Sequence, residues 1–105
     1  MIRTISLVVA IGLTVSACKK AEGPEVAFLL STLQEERYQK DVKYFEARAK
    51  ELNLRVVTLA ADNDNAKQIA QVEDVLTQGV KVLVIQPTDS QAASSYVRLA
   101  HEKGA

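Results

Sequence analysis

Apolar positions along the chain alternate between short unbroken runs and stripes of helical spacing. Residues 26–30 (VAFLL) are a continuous apolar run, the signature of a parallel strand buried on both faces. Thr32 and Glu35 follow with capping-box spacing and predict a helix start. Tyr38, Val42, Phe45, Ala49 and Leu52 then recur at helical intervals as one apolar stripe. Glu36, Lys40, Lys43 and Lys50 fall off it, as solvated positions should, and Asn53 stands where a left-handed cap would end the helix.

The same cycle then runs twice more. A second strand is predicted over 55–60 (RVVTLA), a turn over 62–65, and a second helical stripe at Ile69, Val72 and Leu76 closed by Gly79. A third strand is predicted over 80–86 (VKVLVIQ), a turn over 87–90, and a third stripe at Ala93, Val97 and Ala100 closed by Gly104. This order is βαβαβα: a three-layer α/β arrangement with a parallel sheet, right-handed crossovers and helices on both faces. The rhythm predicts a fourth strand directly after Ala105. Three strands fall short of the usual sheet of about five to six and leave one edge bare. The chain therefore reads as an incomplete N-terminal lobe, truncated before its fourth strand; the alternative is a complete minimal three-layer domain.

The first 17 residues break this rhythm. Arg3 precedes an apolar run over 5–15, and small residues lead to Ala17, the layout of a secretory signal peptide. The run is too short to span a bilayer, which takes about 20 residues. Val15-Ser16-Ala17-Cys18 resembles a bacterial lipobox, in which the Cys becomes the lipidated first residue of the mature protein. Lys19 to Pro24 would then be a polar tether. The expected division is 1–17 lipoprotein signal peptide, 18–24 tether after lipidated Cys18, and 25–105 the α/β domain. Anchoring to the membrane would be through the lipid alone, on a face of the cell envelope.

Composition narrows the chemistry. With 13 basic and 13 acidic residues the formal charge is zero, so bulk electrostatics draws the chain to no nucleic acid. One Cys excludes an internal disulfide, and one His and one Cys argue against a metal centre. Neither a G-x-G-x-x-G turn, a P-loop nor a G-x-S-x-G elbow is present, and Ser31-Thr32 stand where a phosphoacceptor domain wants paired carboxylates. No enzyme, cofactor or metal is implied.

Open α/β sheets bind ligands at the carboxyl ends of their strands. The loops predicted there carry Thr32, Gln34, Arg37, Tyr38, Asp62, Asn63, Asp64, Gln86, Thr88 and Asp89. Amides and carboxylates pair with hydroxyls, and an aromatic face stacks on the apolar side of a sugar ring, so this rim suits a neutral polyhydroxylated ligand. Each residue also has a purely structural reading. Tyr38 lies on the packing stripe, Arg37 can pair with Asp41 one turn on, residues 62–65 can cap the second helix, and Asp89 or Ser90 the third. His101 lies near a helix C-terminus, where a cation suits the macrodipole.

The run Glu36-Arg37-Tyr38-Gln39-Lys40-Asp41, with Gln71-Val72-Glu73, Gly79 and the strand Val82-Leu83-Val84-Ile85 before Pro87, resembles the start of periplasmic sugar-binding proteins of ABC importers. The resemblance is strongest to the xylose-binding branch of the type I binding proteins. It implies a two-lobed protein that closes on a monosaccharide and docks on an ABC permease, in carbohydrate transport or sensing. It also implies that Arg37 hydrogen-bonds the sugar and Tyr38 stacks on its ring. That family usually carries Trp where Tyr38 stands and an acidic pair where Ser31-Thr32 stand. Its Asp-Arg pair and second lobe would fall beyond Ala105, so weak or no sugar binding is expected of these residues alone. Transcription regulators sharing the fold begin with a helix-turn-helix and lack a signal peptide. The expected function is pentose-like sugar binding in truncated form; the alternative is a membrane-tethered interaction lipoprotein without ligand binding.

Overall fold

A computed structural model describes residues 23–105. The expected signal peptide, Cys18 and most of the expected tether lie outside these residues. The elements are β1 (Val26–Leu30), α1 (Glu36–Glu51), β2 (Val56–Ala60), α2 (Asn65–Thr77), β3 (Val82–Ile85) and α3 (Ala93–Glu102). All strands pair in parallel in the order β2-β1-β3, with Val26 opposite both Val56 and Val82. The parallel α/β arrangement expected from the apolar rhythm is therefore present.

The strand order decides where the helices go. The first connection steps from β1 to one side and the second steps back across it, so right-handed crossovers put α1 and α2 on opposite faces. Side chains of β1 alternate accordingly. Phe28 stacks on Phe45 of α1 at 4.3 Å between ring centroids. Ala27 and Leu29 point the other way, into a core with Val72, Val75, Leu76, Val80 and Tyr96. β1 is buried along its whole length, which is why its sequence is uninterrupted by polar residues.

Helix ends follow the chemistry of left-handed caps. Asn53, Gly79 and Gly104 all have positive φ, and after each the chain turns back toward its helix: the N–H groups of Leu54, Val80 and Ala105 donate to the Ala49, Val75 and Ala100 carbonyls. Before β1, the Gly23 carbonyl accepts from Arg55 Nε at 2.8 Å, and Glu25 meets the same guanidinium.

Several helix expectations need correction. The Thr32–Glu35 capping box does not form: α1 begins at Glu36 without a side-chain cap, and Thr32 Oγ1 accepts from the Gln34 N–H to close a tighter local turn. Asp89 and Ser90 do not cap α3, which begins at Ala93; Asp89 Oδ1 accepts from the Gln91 N–H in the turn before it. On α2 the inward face is Gln68, Val72, Val75 and Leu76, and Ile69 turns toward solvent. On α3 the buried residue is Tyr96, while Val97 is 68% exposed. Both shifts are one position along the helix, and in both a polar side chain goes inside because hydrogen-bond partners wait for it there. β3 ends at Ile85, so Gln86 lies just past the sheet.

Candidate functional site

β1 and β3 are neighbours in the sheet, but the loops leaving them run to opposite faces. Their carboxyl ends thus flank the topological switch point, where an open α/β sheet leaves a crevice. Gln86 bridges it. Its Oε1 accepts from Ser31 Oγ at 2.8 Å and from the Ser31 N–H at 3.3 Å, and its Nε2 donates to Tyr38 Oη at 2.5 Å. One side chain from the end of β3 thereby ties the end of β1 to the first turn of α1.

A second amide holds Gln86 in place. Gln68 of α2, fully buried, donates from Nε2 to the Gln86 carbonyl at 2.9 Å and accepts the Thr88 N–H on Oε1 at 2.8 Å. The Gln86 N–H donates to the Leu29 carbonyl at 2.8 Å, extending the β1–β3 ladder. Beyond Thr88 the network continues through Asn65, whose Oδ1 accepts from Thr88 Oγ1 at 3.3 Å and from Tyr96 Oη at 3.0 Å. Burial, then the nearby Asp89 carboxylate, raises the Tyr96 phenol above its ordinary pKa.

The expected rim residues divide into two sets. Tyr38, Thr88 and Gln86 join this network. Arg37 stands at its edge: the guanidinium lies 5.2 Å from the centroid of the Tyr38 ring and 3.9 Å from Asp41, in an exposed setting where such a pair contributes little. Thr32 is buried beside Ser31. Gln34 is exposed and gives its backbone N–H to Thr32. Asp62, Asn63 and Asp64 serve the β2–α2 turn. Asp62 and Asn63 adopt positive φ, Asp62 pairs with Lys67 at 2.5 Å, the Asn63 N–H donates to the Ser31 carbonyl at 2.7 Å, and Asp64 caps α2 through the Lys67 N–H. Asp89 is taken up by its own turn. His101 is exposed in the last turn of α3.

Ser31, Asn65, Gln68 and Tyr96 are participants that the rim reasoning missed. A polar residue inside a helical pattern reads as solvent-facing, and only the neighbouring loop shows that the Gln68 amide has partners inside. Chemically the site offers neutral donors and acceptors around an aromatic edge, with a cation at its border. Among the described residues, no three His, Cys, Asp or Glu side chains gather as a metal site.

Comparison with known proteins agrees with this fold. The model of the periplasmic binding protein domain matches residues 26–105. A ribose import binding protein of Haemophilus influenzae is 35% identical over 90% of this chain, and that of Bacillus subtilis 38% identical over 75%. A D-xylose-binding periplasmic protein of Escherichia coli is 32% identical over 80% of the chain. The chain spans only 32%, 26% and 26% of these three relatives' own lengths. Among solved structures, a carbohydrate transporter solute-binding protein from Chloroflexus aurantiacus in complex with D-glucose superposes with a TM-score of 0.71 at 29% identity, covering 78% of this chain and 24% of its own. The parallel β2-β1-β3 sheet and the family match over residues 26–105 together establish that this chain belongs to the periplasmic binding protein domain family.

Proposed function

We propose that the protein binds a monosaccharide, of pentose-like class, as the solute-binding component of an ABC importer. The observation that carries this reading is the Tyr38–Gln86–Ser31 bridge across the switch point between β1 and β3. It gathers neutral hydrogen-bonding groups and an aromatic ring where this fold leaves its crevice, the combination that a sugar's hydroxyls and apolar ring face require. The relatives named for ribose and xylose support the ligand class.

In this reading Arg37 and Tyr38 contact the sugar, Thr88 and Gln86 shape the floor, and Thr32, Gln34, Asp62, Asn63 and Asp89 border it. The site is one wall; the opposing wall belongs to a second lobe, as the greater length of the relatives implies. The relatives are named as binding proteins, and in this reading the chain likewise binds and releases its ligand without chemistry. Export by the segment 1–17 and lipidation at Cys18 would hold it at the cell envelope beside its permease.

The test is a thermal-shift panel of pentoses and hexoses on the full natural chain. A ligand at 100 times its Kd adds about 2.7 kcal/mol of stability, a readily measured rise in Tm. A rise with at least one monosaccharide is expected; no rise with any of them overturns the reading.

A second reading rests on the outer edge of β3. There Val82 and Val97 are 50% and 68% exposed beside an apolar groove of about 370 Å³. A lipoprotein acting through this edge would pair with a partner chain and ignore sugars. Concentration-dependent association with no thermal response to the panel would favour it.

A further inference from the structure

The hydrogen bonds of Gln86 constrain a proton on its neighbour. A backbone N–H can only donate, so the Ser31 N–H forces the amide oxygen of Gln86 toward β1. The amide nitrogen is thereby directed at Tyr38, and it too can only donate. Tyr38 Oη must therefore accept from Gln86, and its own proton has to point elsewhere. Among the described residues that proton has no acceptor, and Tyr38 is half-buried at the mouth of the crevice. Gln86 has little freedom to turn away, because its backbone is held on both sides by Leu29 and the fully buried Gln68. The Arg37 guanidinium lies over one face of the Tyr38 ring, 5.2 Å from its centroid, and the hydroxyl at the ring's edge is unobstructed by it.

We infer that Gln86 is a positioning residue that makes the Tyr38 hydroxyl a hydrogen-bond donor to the ligand, so that the site selects a sugar presenting an acceptor oxygen, a hydroxyl or the ring oxygen, at the edge of Tyr38. This rests on the sugar-binding reading above and adds a specificity rule to it.

Two nearly isosteric changes test the rule in the full natural chain, with far-UV circular dichroism melting as the folding control. Tyr38→Phe removes the donor and keeps the ring. Gln86→Glu keeps the acceptor for Ser31 but now accepts the Tyr38 proton instead of supplying one, so the hydroxyl is turned away from the ligand. Titration calorimetry with the tightest monosaccharide of the panel should show each variant weakened about tenfold, the equivalent of one hydrogen bond. The double variant should be no weaker than either single one. A monodeoxy analogue lacking the facing hydroxyl should bind all four proteins alike. If the unchanged protein binds a sugar that the variants bind equally well, or if the losses multiply to about a hundredfold as independent effects do, the rule is overturned while sugar binding stands. If the unchanged protein binds no sugar, both fall.

Discussion

Replacing Gln68 tests how the floor of the crevice is built. The side chain is fully buried and holds two backbone groups, the Gln86 carbonyl at 2.9 Å and the Thr88 N–H at 2.8 Å. Leu matches Gln in helix propensity and approximates its size, so Gln68→Leu isolates the two lost hydrogen bonds. Each unpaired backbone group costs about 1–3 kcal/mol when buried. Gln86 and Thr88 are both half-buried, so water recovers part of this, and a loss of about 2–4 kcal/mol is expected. Gln68→Glu sharpens the test. One carboxylate oxygen can still accept from Thr88, but the other then faces the Gln86 carbonyl, acceptor against acceptor, unless it is protonated. Burial and that carbonyl raise the folded-state pKa above the ordinary glutamate value of about 4.3. A raised carboxyl pKa means stability is retained at low pH and lost as pH rises through the folded value. Equilibrium urea unfolding at pH 5 and pH 7 should therefore show Gln68→Glu closer to the natural protein at the lower pH. Equal deficits at both pH values, or a Gln68→Leu variant as stable as the natural protein, would refute the assignment of these two hydrogen bonds.

Other consequences are simpler to check. Tyr96→Phe removes the bond to Asn65 and should cost about 0.5–1.5 kcal/mol in urea unfolding, whereas Tyr96→Ala should cost about 3–5 kcal/mol through the cavity it opens. Because the Tyr96 phenol is raised by burial and then by Asp89, stability is held below its ordinary pKa of 10.0 and lost as pH climbs through the raised value. Alkaline unfolding of Tyr96→Phe should lack that component. Gly79 has φ +88 with open space around a would-be Cβ, so Gly79→Ala should lose about 1–2 kcal/mol from backbone strain alone, and Gly79→Asn less. Metabolic labelling with a radioactive fatty acid should mark the natural protein and leave Cys18→Ser unlabelled; equal labelling of both would refute lipidation at Cys18.

Much of the framework was legible because backbone demands leave strong marks in sequence. A strand buried on both faces has to be apolar throughout, and Val26–Leu30 is. A left-handed helix end favours Asn or Gly, and Asn53, Gly79 and Gly104 supply them. The Arg37–Asp41 pair followed from spacing alone. What escaped was the polar interior. Gln68 and Tyr96 each lie one position from the apolar stripe chosen on their helix, and a stripe counts only hydrophobicity. Their burial depends on partners far along the chain, Gln86 and Thr88 for one and Asn65 for the other. Asp62 and Asp89 show the converse: turns favour acidic residues, and both carboxylates have local turn contacts that residue type and spacing alone do not distinguish from a rim role.

Sugar recognition at the β1–β3 switch point is tested most directly by calorimetric titration of the full natural chain and its Arg37→Ala variant with ribose and xylose. One saturable site per molecule in the natural protein, weakened at least tenfold by Arg37→Ala with folding intact, is the expected result. No heat of binding from either sugar, or binding that the Arg37→Ala change leaves untouched, would contradict it.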